Sequence, residues 1–179
     1  PFVTPEWLAD HFGEVVVVHV ATTMGTADPL AQFERRRIEG AVNVSLERVL
    51  SDPPAPIVGR HPLPSPERFA DEMGRIGIGD RARVVAYDDG NGAFAARLVW
   101  MLRIIGQDAA LLDGGFAGRP DGELTSGRGG GADSSPGDWT GPTESGPVRT
   151  ALTPVARTTV PWPAQALADA DAVVAQIAD

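Results

Sequence analysis

Residues Glu14 to Ala21 contain an apolar stretch built almost entirely of valine, with His19 its one polar interruption. β-Branched side chains lose χ1 freedom in a helix, and a short run with no polar face is the pattern of a strand buried on both sides of a parallel sheet. Parallel strands need long crossovers, so the rest of the chain has to supply helices between strands. The sequence reads that way. Ala41 to Val44, Ala82 to Tyr87 and Ala109 to Leu112 are further strand candidates. Thr4-Pro5-Glu6 opens a short helix over Val3 to Phe12, and Ser65-Pro66-Glu67 opens another running to about Ile76. Each start places a capping hydroxyl before a proline at the first helical position. Leu30 to Ile38 reads as an exposed helix, Leu46 to Leu50 as a helical turn, and Ala93 to Ile105 as an amphipathic helix stopped by Gly106. The fold class that follows is α/β with a mainly parallel sheet.

The apolar pattern then fades. Residues 118–147 are rich in Gly, Ser and Pro and too poor in apolar residues to bury a core, which predicts a flexible segment. Residues 148–163 read as a connection, and 164–179 place Leu167, Val173, Val174 and Ile177 on a helical pattern.

Composition removes several functions. The 179 residues contain no cysteine and no lysine, which excludes thiol catalysis, disulfides, Schiff bases and a phosphate-gripping lysine. With a formal net charge of -9 the chain lacks the electrostatic footprint of a nucleic-acid binder. The longest apolar stretches are interrupted by His19, Arg97 and Arg103, so no membrane span is expected; the start Pro1-Phe2-Val3-Thr4 shows no basic segment followed by a long apolar one, so no signal peptide is expected, and the chain is read as cytoplasmic. His11, His19 and His61 lack metal-ligand spacing, and neither a metal nor a cofactor is expected. Trp7, Trp100 and Trp162 read as packing residues, Arg35-Arg36-Arg37 as a solvated helix face, and Arg97 as one half of a salt bridge.

In a parallel α/β sheet, ligands sit beyond the carboxyl ends of strands, where a loop enters a helix with free N–H groups. The loop Asp88-Asp89-Gly90-Asn91-Gly92-Ala93 occupies such a position. Gly90-Asn91-Gly92-Ala93-Phe94-Ala95 fits a dinucleotide fingerprint, but two carboxylates before it would repel a pyrophosphate. Asp88 as a phosphoryl-accepting nucleophile would want a lysine nearby. Asp88 and Asp89 as simple caps of the following helix is the plain structural reading.

A fourth reading rests on resemblance. Tyr87 to Leu102 is similar to the first-domain loop and helix of the tandem rhodanese family, the thiosulfate and 3-mercaptopyruvate sulfurtransferases. Gly59-Arg60-His61-Pro62-Leu63-Pro64-Ser65, Gly77-Ile78-Gly79-Asp80 and Leu112-Asp113-Gly114-Gly115-Phe116 resemble the same family in the same order, so that the likeness covers about Val3 to Phe116. It implies a rhodanese-like domain over 1–117, with a mainly parallel five-stranded sheet and helices on both faces. In that family a second domain carries a Cys after the corresponding strand, and loop N–H groups cradle its persulfide. The first domain commonly has Asp there. The resemblance thus implies that Asp88 occupies the nucleophile position of a pseudo-active site, with Asp88, Asp89, Gly90, Asn91, Gly92 and Ala93 forming the anion cradle and no catalytic residue in this chain. Chemistry agrees, because sulfur transfer by this route needs a thiolate and a carboxylate forms no stable persulfide.

His19 stands where relatives usually have Asp, and Arg37-Ile38-Glu39-Gly40-Ala41 replaces a more usual His-Ile-Pro-Gly-Ala. Leu152 to Pro163 resembles the family's interdomain linker, and 164–179 the first helix of a second domain that the sequence does not contain. The expected partners are that C-terminal catalytic domain and the small-molecule sulfur donor and acceptor. A stand-alone inactive module binding an anion or a protein is the alternative.

Overall fold

A computed structural model of the chain describes residues 1–24, 27–56, 59–115 and 152–167. The valine run becomes β2 (Val16–Ala21), an inner strand of a five-stranded sheet in which every pairing is parallel. It is flanked by β3 (Val42–Ser45) on one side and β4 (Val84–Tyr87) on the other. β5 (Ala109–Leu112) lies beyond β4, and β1 (Phe2–Val3) closes that edge, in the order β1-β5-β4-β2-β3. The sequence pattern locates four of these strands. The two-residue β1 is too short to show a period, and it takes up Val3, expected at the start of a helix.

Alternate residues of each strand face opposite sides of the sheet, and each side has its helices. Val18, Val20, Val84 and Ala86 pack with Phe69 and Met73 of α3 (Pro66–Arg75) and Leu98, Met101 and Leu102 of α4 (Ala93–Ile104). On the other face Val17, Val85, Tyr87 and Leu112 pack with Leu8 of α1 (Pro5–His11) and Phe33 of α2 (Pro29–Arg35). Burying a Val or Leu side chain is worth about 1.5–3 kcal/mol, against about 1 kcal/mol for a helix cap, so these two layers carry the fold and the caps set its boundaries. The caps recur with the same chemistry. Thr4, Asp28 and Ser65 accept N–H bonds from Trp7, Ala31 and Arg68, each followed by a proline in the first turn. The Asp28-Pro29 pair starts α2 one residue earlier than the apolar pattern suggests.

α2 also ends earlier than expected. Arg36 is extended, and Arg37 turns inward rather than joining a solvated face, donating to the carbonyls of Glu34 at 2.8 Å and Phe33 at 3.4 Å. A cation there serves carbonyls that the helix end leaves open.

Residues 152–163 lie against the domain as an extended strap. The N–H of Val155 donates to Gly74 at 2.9 Å, and Arg157 donates to the carbonyl of Ile78 at 3.0 Å and to the amide oxygen of Gln107. Thr158 donates through its hydroxyl and N–H to Asp80, which holds that carboxyl below its ordinary value. Trp162 donates to Pro64 at 2.7 Å and packs on Phe69, so it is a packing residue as expected. The approach is close enough to require glycine: a Cβ on Gly77, whose φ is +86°, would stand 2.2 Å from that of Leu152. Ala164–Ala166 forms a single 3₁₀ turn. The expected flexible segment 118–147 and most of the expected helix 164–179 fall outside the described residues.

Candidate functional site

β4 runs straight into the candidate loop. Tyr87 and Asp88 are both buried, and the Asp88 carboxylate sits where the strand ends and α4 begins. Its Oδ1 accepts N–H bonds from Gly90 and Gly92, both at 2.9 Å, and its Oδ2 accepts from Phe94 and Ala95, both at 3.0 Å. The last two donors lie in the first turn of α4, where backbone N–H groups have no partner within the helix. Gly92, the residue at the cap position, has no side chain to supply an acceptor, and Asp88 reaches across the loop to do so. At a φ of +85°, with Leu111 only 3.1 Å from where a Cβ would stand, glycine is the residue that fits position 92.

This geometry separates residues that the sequence reading grouped together. Of the predicted set Asp88 to Ala93, Gly90 and Gly92 aim N–H groups at the Asp88 carboxylate. Asn91 instead accepts the N–H of Ala93 at 3.2 Å, so the donors are not the consecutive amides of residues 89–93. Phe94 and Ala95, outside the predicted set, complete the ring. The rule that a cap serves the second and third N–H of a helix was the available signal for both.

Asp89 does not cap α4. Its Oδ2 accepts from Gln32 of α2 at 2.8 Å and lies 3.1 Å from Nε2 of His19, while Oδ1 is shielded from solvent and has no hydrogen-bond partner. His19 is wholly buried in β2 between Phe33 and Tyr87, with Nδ1 3.2 Å from the amide of Asn43 on β3. The Asn43 amide can serve Nδ1 in either orientation, so Nε2 is free to be the donor to Asp89. A polar residue within a buried valine run was the sequence signal for this network, and Asp89, Gln32 and Asn43 were not foreseen as its partners.

Two further groups shape the surroundings. Among the described residues Arg97 of α4 has no salt-bridge partner, contrary to expectation. It donates to the carbonyls of Leu50, His61 and Pro62 at 3.0–3.2 Å, fastening the proline-rich loop to the helix, and burial lowers its pKa from the ordinary value. At the end of β3, Glu47 accepts from the hydroxyl of Thr22 at 2.7 Å and from the N–H and hydroxyl of Thr23. Burial alone would raise the Glu47 carboxyl, and these hydrogen bonds outweigh it, holding the pKa below the ordinary value. Beside the loop opens a cleft of about 240 Å³, walled by Val20, Met24, Pro29 and Phe94 and bordered by Thr22, Gln32, Asp88 and Asp89.

A ring of backbone donors at the carboxyl end of a parallel strand, leading into a helix, is an anion receptor in form. Here a carboxylate of the same chain fills it. The sequence profile described as "Rhodanese-like domain" matches residues 4–118. The chain belongs to the rhodanese-like domain family. The 3-mercaptopyruvate sulfurtransferase of Escherichia coli K12 is 33% identical over 123 residues, covering 65% of this chain and 43% of that protein. The human 3-mercaptopyruvate sulfurtransferase is 40% identical over 92 residues, covering 50% of this chain and 30% of its own. Among solved structures, the crystal structure of SseA from Escherichia coli, described as a 3-mercaptopyruvate sulfotransferase, superposes with a TM-score of 0.71 at 27% identity. That superposition covers 99% of this chain and 62% of SseA. The rhodanese-like chain thus spans less than half the length of these two curated relatives. Among the described residues no helix is long and apolar enough to cross a membrane.

Proposed function

We infer that this chain is the N-terminal, non-catalytic half of a tandem sulfurtransferase that moves sulfane sulfur from thiosulfate or 3-mercaptopyruvate to a thiophilic acceptor. The observation that carries the reading is the Asp88 carboxylate held by four backbone N–H groups at the end of β4, the place a persulfide takes in a catalytic rhodanese domain. A thiolate there could attack the donor's sulfur and hold the product anion, whereas a carboxylate can only occupy the same electrostatic well. No residue of the sequence can take over, since it contains no cysteine. The relatives' greater length supports a catalytic domain elsewhere in the parent protein. On this reading the chain supplies scaffold and one wall of an interdomain cleft, and it works in the cytoplasm.

The alternative, a stand-alone module, loses its anion-binding form because Asp88 already uses the N–H groups that an anion would need. Incubation of the chain with thiosulfate and cyanide, or with 3-mercaptopyruvate and a thiol, is expected to give product no faster than a buffer blank. The protein encoded by the full reading frame is expected to turn over one of these donors through a cysteine in its second half. Turnover by the chain alone that survives repurification, or a full reading frame without that cysteine, would overturn the reading.

A further inference from the structure

We propose that the turn Asp113-Gly114 at the end of β5 is a site of spontaneous covalent rearrangement, where the chain closes a succinimide ring and reopens it as isoaspartate. This goes beyond the sulfurtransferase reading and does not depend on it. Glycine after aspartate or asparagine is the context for this chemistry, because a residue without Cβ leaves its nitrogen open to the preceding side chain. The described residues contain three such pairs, Asp89-Gly90, Asn91-Gly92 and Asp113-Gly114. The reaction is the same in each. The glycine nitrogen adds to Cγ of the preceding residue and gives up its proton. The Cγ–O bond of a carboxylic acid, or the Cγ–N bond of an amide, breaks and releases water or ammonia. Water then opens the ring. Attack at Cγ leaves an ordinary aspartate, and attack at the main-chain carbonyl leaves isoaspartate, with the chain running through Cγ.

Residue types alone rank Asn91-Gly92 first, because an amide is attacked directly whereas a carboxylate must first take up a proton. The structure reverses that order. The buried N–H of Gly92 donates to Asp88 Oδ1 at 2.9 Å, so a nitrogen that must lose its proton faces a fixed negative charge. The Asn91 side chain is turned onto the N–H of Ala93 at 3.2 Å. Asp89-Gly90 is held in the same way. The Gly90 N–H also donates to Asp88, and the Asp89 carboxylate accepts from Gln32 at 2.8 Å and lies 3.1 Å from His19. At Asp113 the arrangement favours reaction. The Gly114 nitrogen is 2.9 Å from Oδ1 of Asp113 itself, so the nucleophile rests on the group it attacks, and the soft terminal torsion of the side chain can present Cγ to it. Both residues are exposed, and a Cβ on Gly114 would meet nothing within 4 Å, which leaves room for the ring and access for water. Isoaspartate adds one carbon to the main chain between the Asp113 N–H, which donates to Val3 at 2.9 Å, and the Gly115 N–H, which donates to Leu112 at 3.1 Å. Gly115 stands against the carbonyls of Asp88 and Gly90, so the rearrangement reaches the loop that holds the buried carboxylate.

The test is a timed incubation of the chain at neutral pH, folded and unfolded in guanidinium chloride, followed by electron-transfer fragmentation, which locates isoaspartate residue by residue. In the folded chain isoaspartate is expected at Asp113 at a rate close to that of the unfolded chain. Asp89 and Asn91 are expected to react at least about tenfold more slowly folded than unfolded, because their hydrogen bonds must open first. Asp113→Asn sharpens the comparison by placing the same asparagine-glycine chemistry at both turns, with an amide oxygen that can still accept from Gly114. In that variant, position 113 is expected to lose ammonia at least about tenfold faster than Asn91 when folded, and at a similar rate when unfolded. The proposal is overturned if the folded parent accumulates no isoaspartate at Asp113, if Asn91 reacts as fast folded as unfolded, or if Asn91 keeps pace with position 113 in the folded Asp113→Asn protein. Failure here leaves the sulfurtransferase reading intact, since that reading rests on Asp88 and on product formation.

Discussion

Replacing Asp88 by asparagine keeps the size of the side chain and changes what it can accept. The parent carboxylate receives four backbone N–H bonds, two on each oxygen. An asparagine oxygen can keep one pair, and its NH₂ group must then face the other two N–H donors. At least one donor of either pair is buried, Gly92 in one and Ala95 in the other. A buried donor without an acceptor costs about 1–3 kcal/mol, so the change is expected to destabilise by about 2–5 kcal/mol once donor–donor repulsion and partial hydration of Gly90 or Phe94 are included. For a domain of this size that corresponds to a fall in melting temperature on the order of 10 °C. Urea unfolding at neutral pH, with the slope held common to both proteins, measures the difference. The amide resonances of Gly90, Gly92, Phe94 and Ala95 report which pair is lost. An asparagine variant as stable as the parent would refute the claim that a charged acceptor organises this loop.

Gly92→Ala should cost about 1–3 kcal/mol, because alanine is strained at φ +85° and its methyl would press on Leu111; a urea midpoint unchanged from the parent would contradict this. Arg97→Met removes three bonds to the carbonyls of Leu50, His61 and Pro62 and should destabilise by about 2–4 kcal/mol, with faster proteolysis in residues 51–64 as the diagnostic. Glu47 has a folded-state pKa below its unfolded one, so its contribution to stability is present above the ordinary carboxylate value and is lost as pH falls through the folded value. The stability gap between the parent and Glu47→Gln should therefore be widest at neutral pH and close in acid; a gap independent of pH would argue against the Thr22 and Thr23 hydrogen bonds.

Local chemistry made much of this fold readable. The valine run, the proline-led helix starts and the long apolar helix α4 each declare themselves within a dozen residues, and the order of strands and helices then allows few parallel arrangements. What stayed hidden depends on pairs far apart in the chain. His19 and Asp89 are separated by 70 positions, Arg157 and Ile78 by 79, and Trp162 and Pro64 by 98. Arg97 looked like a salt-bridge residue because an arginine suggests a carboxylate, whereas the proline-rich loop, short of N–H donors of its own, leaves carbonyls for it to serve. The loop lies at the end of β4, and its hydrogen bonds divide between two distant partners. Adjacent aspartates read as one motif, and the turn of the chain sends Asp88 to the helix and Asp89 to His19.

The strap adds a consequence about where the folding unit ends. Val155, Arg157, Thr158 and Trp162 bind α3 and the segments on either side of it as a bound peptide would, through separate side-chain anchors and the backbone N–H groups of Val155 and Thr158. A chain cut between Gly115 and Leu152 would thus yield two pieces that recognise each other. The larger would carry a preformed groove over Phe69, Gly74 and Gly77, and the smaller could reassociate with it in trans, at a strength reduced by the lost effective concentration of the covalent link. The glycines at 74 and 77 would then act as specificity determinants, because a side chain at either would close the groove to its own peptide.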